Sequence, residues 1–188
     1  METETFAFIG AIVFSLGYSV YLIEMLRGNC EPTRASWLVW ASVNLLALLA
    51  MAYEGKANPL AWLVGIISPI IFLLSLYFGK PGWSLIDKVC ATLAFVGLLL
   101  WFVVTAEYTI LTIIVINILG IVPTIISALE DPRRESKLAW FVAFVALVIA
   151  VIGFKEWSLV AVGQTLVFLL LNAVMNVLLH IRKPPQKE

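Results

Sequence analysis

Pro32-Thr33-Arg34-Ala35-Ser36-Trp37-Leu38-Val39-Trp40 returns 100 positions later as Pro132-Arg133-Arg134-Glu135-Ser136-Lys137-Leu138-Ala139-Trp140. Pro, Arg, Ser, Leu and Trp recur at identical offsets. The pairs Ala50/Ala150 and Ala61/Ala161 keep the register downstream. Each block opens a long apolar stretch, so the chain carries one structural unit twice.

The medium around those units follows from composition. Apolar residues make up 62% of the chain and charged residues 13%, too few to cover a water-soluble domain. A membrane-crossing helix needs roughly 20 mostly apolar residues. Seven stretches qualify, at about 5–26, 35–53, 59–78, 84–104, 108–129, 137–153 and 158–180. They use most of the chain, so function is expected in the helices and their short connections. The acidic start, Met1-Glu2-Thr3-Glu4, is unlike the basic flank of a signal peptide, and the first stretch is expected to stay in place. Cys30 falls in a loop and Cys90 in the fourth stretch, which does not point to a disulfide framework.

Net charge is zero, yet the cations are segregated. Arg27, Arg34, Lys80, Lys88, Arg133, Arg134, Lys137, Arg182, Lys183 and Lys187 fall on one side of a seven-span topology. Only Lys56 and Lys155 fall on the other, which is ten of the 12 cations against two. This predicts an external N-terminus and a cytoplasmic C-terminus, in a membrane of bacterial inner-membrane type. The tail from Arg182 to Lys187 then anchors topology, and no nucleic-acid partner is expected.

The repeat divides the seven stretches as three, one and three. Residues 1–80 form a first triple-helix bundle, 81–106 a linker helix, and 107–188 a second bundle with a basic tail. Two three-helix units joined directly would face opposite ways. The extra helix makes them parallel, related by an axis along the membrane normal, as in one class of transporters. The expected fold is an all-α membrane protein of seven transmembrane helices in two parallel triple-helix bundles joined by a linker helix.

Local signals mark the helix ends. Asn58-Pro59 reads as an N-cap and a first helical residue. Ser84 with Asp87 reads as a capping box after Pro81-Gly82. Pro69 and Pro123 lie inside apolar stretches, where each removes a backbone hydrogen bond. They are expected as hinges, with a static packing kink as the alternative.

No catalytic constellation, metal-ligand spacing or phosphate loop is present, and neither an enzyme activity nor a cofactor is expected. His180, the one histidine, reads as an interfacial anchor. The informative groups are polar residues at membrane depth. Asn44, Asn117, Ser68, Gln164 and Thr165 lie mid-stretch, with Asn172 and Asn176 nearer the basic side. All are uncharged, which suits a neutral hydrogen-bonding solute; interhelical hydrogen bonding is the alternative. Of the seven tryptophans, Trp62, Trp83, Trp101 and Trp157 fall near stretch ends and read as belt anchors. Trp40 and Trp140 are placed equivalently by the repeat and could stack on a ring-shaped ligand. Glu24 is expected to serve proton coupling or to form a gate pair with Arg27 or Arg34, or else to snorkel to the interface.

From Gly120 to Trp140 the chain reads Gly-Ile-Val-Pro-Thr-Ile-Ile-Ser-Ala-Leu-Glu-Asp-Pro-Arg-Arg-Glu-Ser-Lys-Leu-Ala-Trp. This resembles a PQ-loop repeat, with Pro123-Thr124 in the Pro-Gln place. Gly17-Tyr18-Ser19-Val20-Tyr21 occupies the matching stretch of the first unit and has no Pro. The three-one-three order over the whole chain is similar to that of SWEET sugar transporters. It is also similar to bacterial membrane proteins with the same Ser-Trp-x-x-Trp block. The resemblance implies a central pocket with Trp40 and Trp140 on its walls, and Ser68 and Gln164 where the family carries an Asn pair. Related nicotinamide riboside uptake proteins have Trp-rich pockets, which keeps a vitamin-like substrate open through Trp37 and Trp40.

The resulting expectation is a passive or proton-coupled transporter of a small neutral solute, working by alternating access. Its site residues are Trp40, Asn44, Ser68, Asn117, Trp140 and Gln164, with hinges at Pro69 and Pro123 and coupling at Glu24. Its partners are the solute and the lipid bilayer, with a homo-oligomer left open. The rival is a receptor, trafficking or structural assembly protein with the same helix plan and no transport.

Overall fold

The computed structural model describes residues 2–184 apart from 54, 56–58, 102, 104, 105, 156 and 158. Among these the chain forms α1 (Glu2–Leu26), α2 (Arg34–Tyr53), α3 (Pro59–Phe78), α4 (Leu85–Trp101), α5 (Ala106–Glu130), α6 (Lys137–Ile152) and α7 (Leu159–Ile181). A 3-10 turn, Pro132–Arg134, precedes α6, and there is no strand among the described residues. Asn58 lies outside the described residues, but Pro59 does open α3.

Among the described residues four helices are long and apolar enough to cross a membrane, through Phe8–Leu26, Ala61–Phe78, Leu111–Glu130 and Val162–Ile181. The apolar parts of α2 and α6, Arg34–Leu49 and Lys137–Ile152, are shorter. The 16 residues of α6 reach about 24 Å at 1.5 Å per residue, short of the roughly 30 Å hydrocarbon core. The outward faces are apolar. Ile12 and Leu16 on α1, Ile66 and Leu73 on α3, Phe95 and Leu99 on α4, and Leu170 and Val177 on α7 are all exposed. Such faces need lipid or another apolar cover.

The helices associate through small residues, as expected where burial of oily side chains gives no advantage over lipid. α1 lies along α6. A Cβ at Gly10 would sit 3.4 Å from the Ala146 carbonyl, and one at Gly17 3.5 Å from the Ala139 carbonyl. Ala139, Ala143, Ala146 and Ala150 thus form a smooth seam on α6. On the other side α5 lies against α2, where a Cβ at Gly120 would stand 2.8 Å from Trp40 Nε1.

The contacts obey a rule. α1 meets α6 and α5 meets α2; α2 meets α3 and α6 meets α7; α1 meets α3 and α5 meets α7. Exchanging each helix for the one four places away, α1–α3 for α5–α7, carries one member of each pair into the other, in the 100-residue register of the sequence. α4 stands apart from this rule and packs on α5 and α2. Its start is the capping box read from sequence. Ser84 N–H donates to Asp87 Oδ2 at 2.7 Å, and Asp87 N–H donates to Ser84 Oγ at 3.1 Å.

Candidate functional site

A cavity of about 460 Å³ lies among α1, α2, α6 and α7. Its wall runs from Gly153 and Phe154, at the end of α6, down to Trp140 and Tyr21 near the Pro32 and Pro132 loops. Trp40 and Trp140 face each other there, with ring centroids 6.4 Å apart and planes at 65°. Trp37 meets Trp40 edge-on at 5.3 Å, and Tyr18 meets Trp37 at 6.2 Å. All three indoles are buried.

The repeat explains why the tryptophans converge. Ser136 caps α6 by accepting from Ala139 N–H, which puts Trp140 one turn inside the helix. In the first unit Trp40 has the same place, but α2 begins earlier. Lys137 corresponds to Trp37, whereas α2 starts at Arg34, three residues before it. Ser36 is therefore inside the first turn rather than a cap. Its hydroxyl instead joins a buried ring of hydroxyls: Thr33 donates to Ser36 at 3.0 Å, Thr124 to Ser36 at 2.8 Å, and Thr33 and Thr124 stand 2.7 Å apart. This ring ties α5 to α2 below the cavity.

The corresponding contact between α1 and α6 is a carboxyl site. Glu135 Oε2 accepts from the Tyr21 hydroxyl at 3.0 Å and from Trp140 Nε1 at 2.9 Å. Trp37 Nε1 donates to the same Tyr21 oxygen at 3.2 Å. Glu135 is 3% exposed, and its Oε1 has no partner among the described residues. Burial pushes its pKa up to about 7, against the two hydrogen bonds, which favour the ionised form.

Of the residues expected at the site, Trp40, Asn44, Trp140 and Gln164 line the cavity. Ser68 stands behind Asn44, accepting from Asn44 Nδ2 at 2.9 Å, and is also hydrogen-bonded to Tyr18. Asn117 is off the wall. It is buried, donates to the Ile113 carbonyl of its own helix at 2.8 Å, and leaves Oδ1 without a partner among the described residues. Asn172 lines the cavity and also leaves Oδ1 unpaired among the described residues, while Asn176 donates to the Trp140 carbonyl at 3.0 Å. Pro69 and Pro123 lie within α3 and α5, and both helices continue through them.

Glu24 does not form the expected gate pair. Arg34 instead spends its guanidinium on the last carbonyls of α3, Ser75 at 3.2 Å and Leu76 at 3.0 Å. Nor is there an ion pair from Glu24 to Arg27 among the described residues. The buried acid of the site is Glu135, which no local pattern in the sequence marks. It sits in an Arg-Arg-Glu run that looks like a solvated loop. The one available signal was that its repeat partner is Ala35, an apolar residue.

The loop end below the cavity is closed by further contacts between the two halves. Lys80 and Arg134 both reach Glu130 Oε2 at 2.7 Å. Glu31 N–H donates to the Arg134 carbonyl at 2.9 Å. Trp62 and Trp157, read as belt anchors, are 49% and 63% exposed, whereas the side chain of Trp101 lies outside the described residues.

No family model, curated protein or solved structure matches this chain.

Proposed function

We propose that this chain is a membrane transporter for a small, neutral, ring-bearing solute, with the tryptophan-lined cavity as its binding site. The observation that carries the reading is the cavity itself. Its volume, about 460 Å³, falls within the roughly 300–1,000 Å³ of small-molecule sites. Its lining has the usual composition of such sites, a mostly apolar and aromatic wall with a few polar groups. Trp40 and Trp140 offer faces for stacking, and Asn44 and Gln164 offer hydrogen bonds. No cation lines it.

On this reading all seven helices cross the bilayer. Residues 1–80 and 107–188 act as two parallel triple-helix bundles, PQ-loop- or SWEET-like, with α4 as linker. The matching contacts inside each unit, α2–α3 with α6–α7 and α1–α3 with α5–α7, support that division. So does the position of the cavity, which α4 does not line. The cation bias puts the Pro32 and Pro132 loops in the cytoplasm, so the cavity is closed on that side. The bundles then rock about the site, with Pro69 and Pro123 as hinges.

The test is tryptophan fluorescence and thermal shift on the purified protein against sugars, nucleosides and vitamin-like ring compounds. One class should give saturable quenching that Trp140→Ala abolishes and Trp157→Ala leaves in place. Absence of saturable binding by any class, or equal effects of the two substitutions, removes the reading.

A further inference from the structure

Directly below the cavity, Glu135 joins two helices that belong to different halves of the repeat. Its Oε2 is held by Tyr21 from α1 and by Trp140 from α6, and its Oε1 is buried without a partner among the described residues. An ionised carboxylate left in that state is costly, because half of its charge meets no donor. A protonated carboxyl group avoids that cost and still accepts both bonds on Oε2.

Among the described residues the surroundings supply no compensating cation. Tyr21 from α1 and Cys30 from the α1–α2 loop are the titratable groups facing it, and burial followed by the charges of Glu135, Glu24 and Glu31 pushes the Cys30 thiol up. Arg134, the preceding residue, is turned to Glu130 and Glu31. Arg133 is bound to Asp131, and Lys137 is exposed. The groups nearest on α2 and α7 that join this network, Trp37 and Asn176, are uncharged.

We propose that Glu135 is a proton-binding site that couples proton movement to passage of the solute. With the α1–α6 contact closed, Oε1 carries the proton. When the contact opens toward the loop end, Tyr21 and Trp140 separate and water enters. The O–H bond breaks, water accepts the proton, and the electron pair stays on the carboxylate, now hydrated. Closing again requires a proton to return. Because the closed state holds the proton more tightly, protonation favours closure and ionisation favours opening. The proton thus leaves on the side to which the cavity opens. This inference rests on the transport reading, but the following test uses no solute, so failure of the solute screen and failure of this site are separate results.

Trp140 donates to Glu135, so the protein's own fluorescence reports the proton. The purified full-length chain is titrated from about pH 5 to about pH 9, and acrylamide quenching is measured at each pH. Wild type should show a midpoint near 7, with quenching rising above it as the loop end opens. Glu135→Gln should lose both the midpoint and the rise. Tyr21→Phe removes one donor to the carboxylate and should move the midpoint upward, which a purely structural role does not require. It decides the matter if Glu135→Gln does not fold. A midpoint that survives in Glu135→Gln, one unmoved in Tyr21→Phe, or quenching that stays constant across the midpoint overturns the proposal.

Discussion

At the loop end of the molecule α5 meets α2 through three hydroxyl groups, whereas α1 meets α6 through a carboxyl group, a phenol and an indole. The two helix pairs are equivalent in the repeat, but the residues that join them are not. The hydroxyl ring of Thr33, Ser36 and Thr124 carries no charge, and every one of its oxygens is partnered. The Glu135 site has one oxygen satisfied twice and the other not at all. Duplication therefore supplied two latches of different chemistry, one of hydroxyl groups and one holding a carboxyl group whose pKa burial raises. The same asymmetry reaches the cavity wall: Trp140 has a partner for its indole N–H, and Trp40 has none among the described residues.

The harshest way to break the comparison is Trp140→Ala. It removes a large buried ring and one donor to Glu135 together. Core Trp→Ala changes cost about 3–5 kcal/mol, and the Tm should fall accordingly in a thermal melt. A loss below about 1 kcal/mol would mean that the ring is not a structural partner of the carboxyl site.

The second effect is pH dependence on one side of the pair only. Glu135 in the folded protein stands at about 7, above its ordinary 4.5, so the folded state binds the proton more tightly than the unfolded one. The stability from this group is complete below about pH 4.5 and is lost as the pH rises through about 7. Wild-type Tm should decline across that window by the equivalent of a few kcal/mol at about 1.4 kcal/mol per unit. Glu135→Gln should flatten the decline, and an unchanged slope in that variant would assign the pH dependence to another group.

Thr124→Val sharpens the contrast from the other latch. It leaves the Thr33 and Ser36 hydroxyls buried with one partner fewer, at about 1–3 kcal/mol. That loss should be the same at every pH where Glu135 titrates. A loss that tracks pH would show that the two latches are not independent. The smallest effect belongs to the rim. Lys80→Ala breaks a half-exposed ion pair, and Arg134 still holds Glu130. Melting should shift by about 0.2–1 kcal/mol at low salt and less at high salt.

Much of the fold was legible because helix length in an apolar chain is a matter of composition. The stretch expected at about 59–78 is α3, Pro59–Phe78, and the one expected from 137 is α6. The capping box of Ser84 and Asp87 is local chemistry and appears as read. α4 ends sooner than expected, at Trp101.

The sites divide along the same line. Trp40 and Trp140 were found through the repeat, because equivalent positions on equivalent helices converge when the units face each other. Asn44 and Asn117 looked alike, each an amide at mid-helix, yet Asn44 lines the cavity and Asn117 is spent on a carbonyl of its own helix. Rotation about the helix axis separates them, and depth along the chain does not report rotation. Glu24 and Glu135 were both acids beside Arg-rich loops. Sequence placed the first nearer the membrane, but the fold buries the second.

The amino-acid sequence by itself determined the helices, their order, the duplication and the aromatic pair, since each depends on local length, pattern or register. Only the tertiary structure decided which polar groups meet the cavity and which carboxyl group is shut away from water. Those outcomes depend on contacts between helices far apart in the chain. Tyr21 lies 114 residues from Glu135, and no local pattern in either segment records that they share a hydrogen bond.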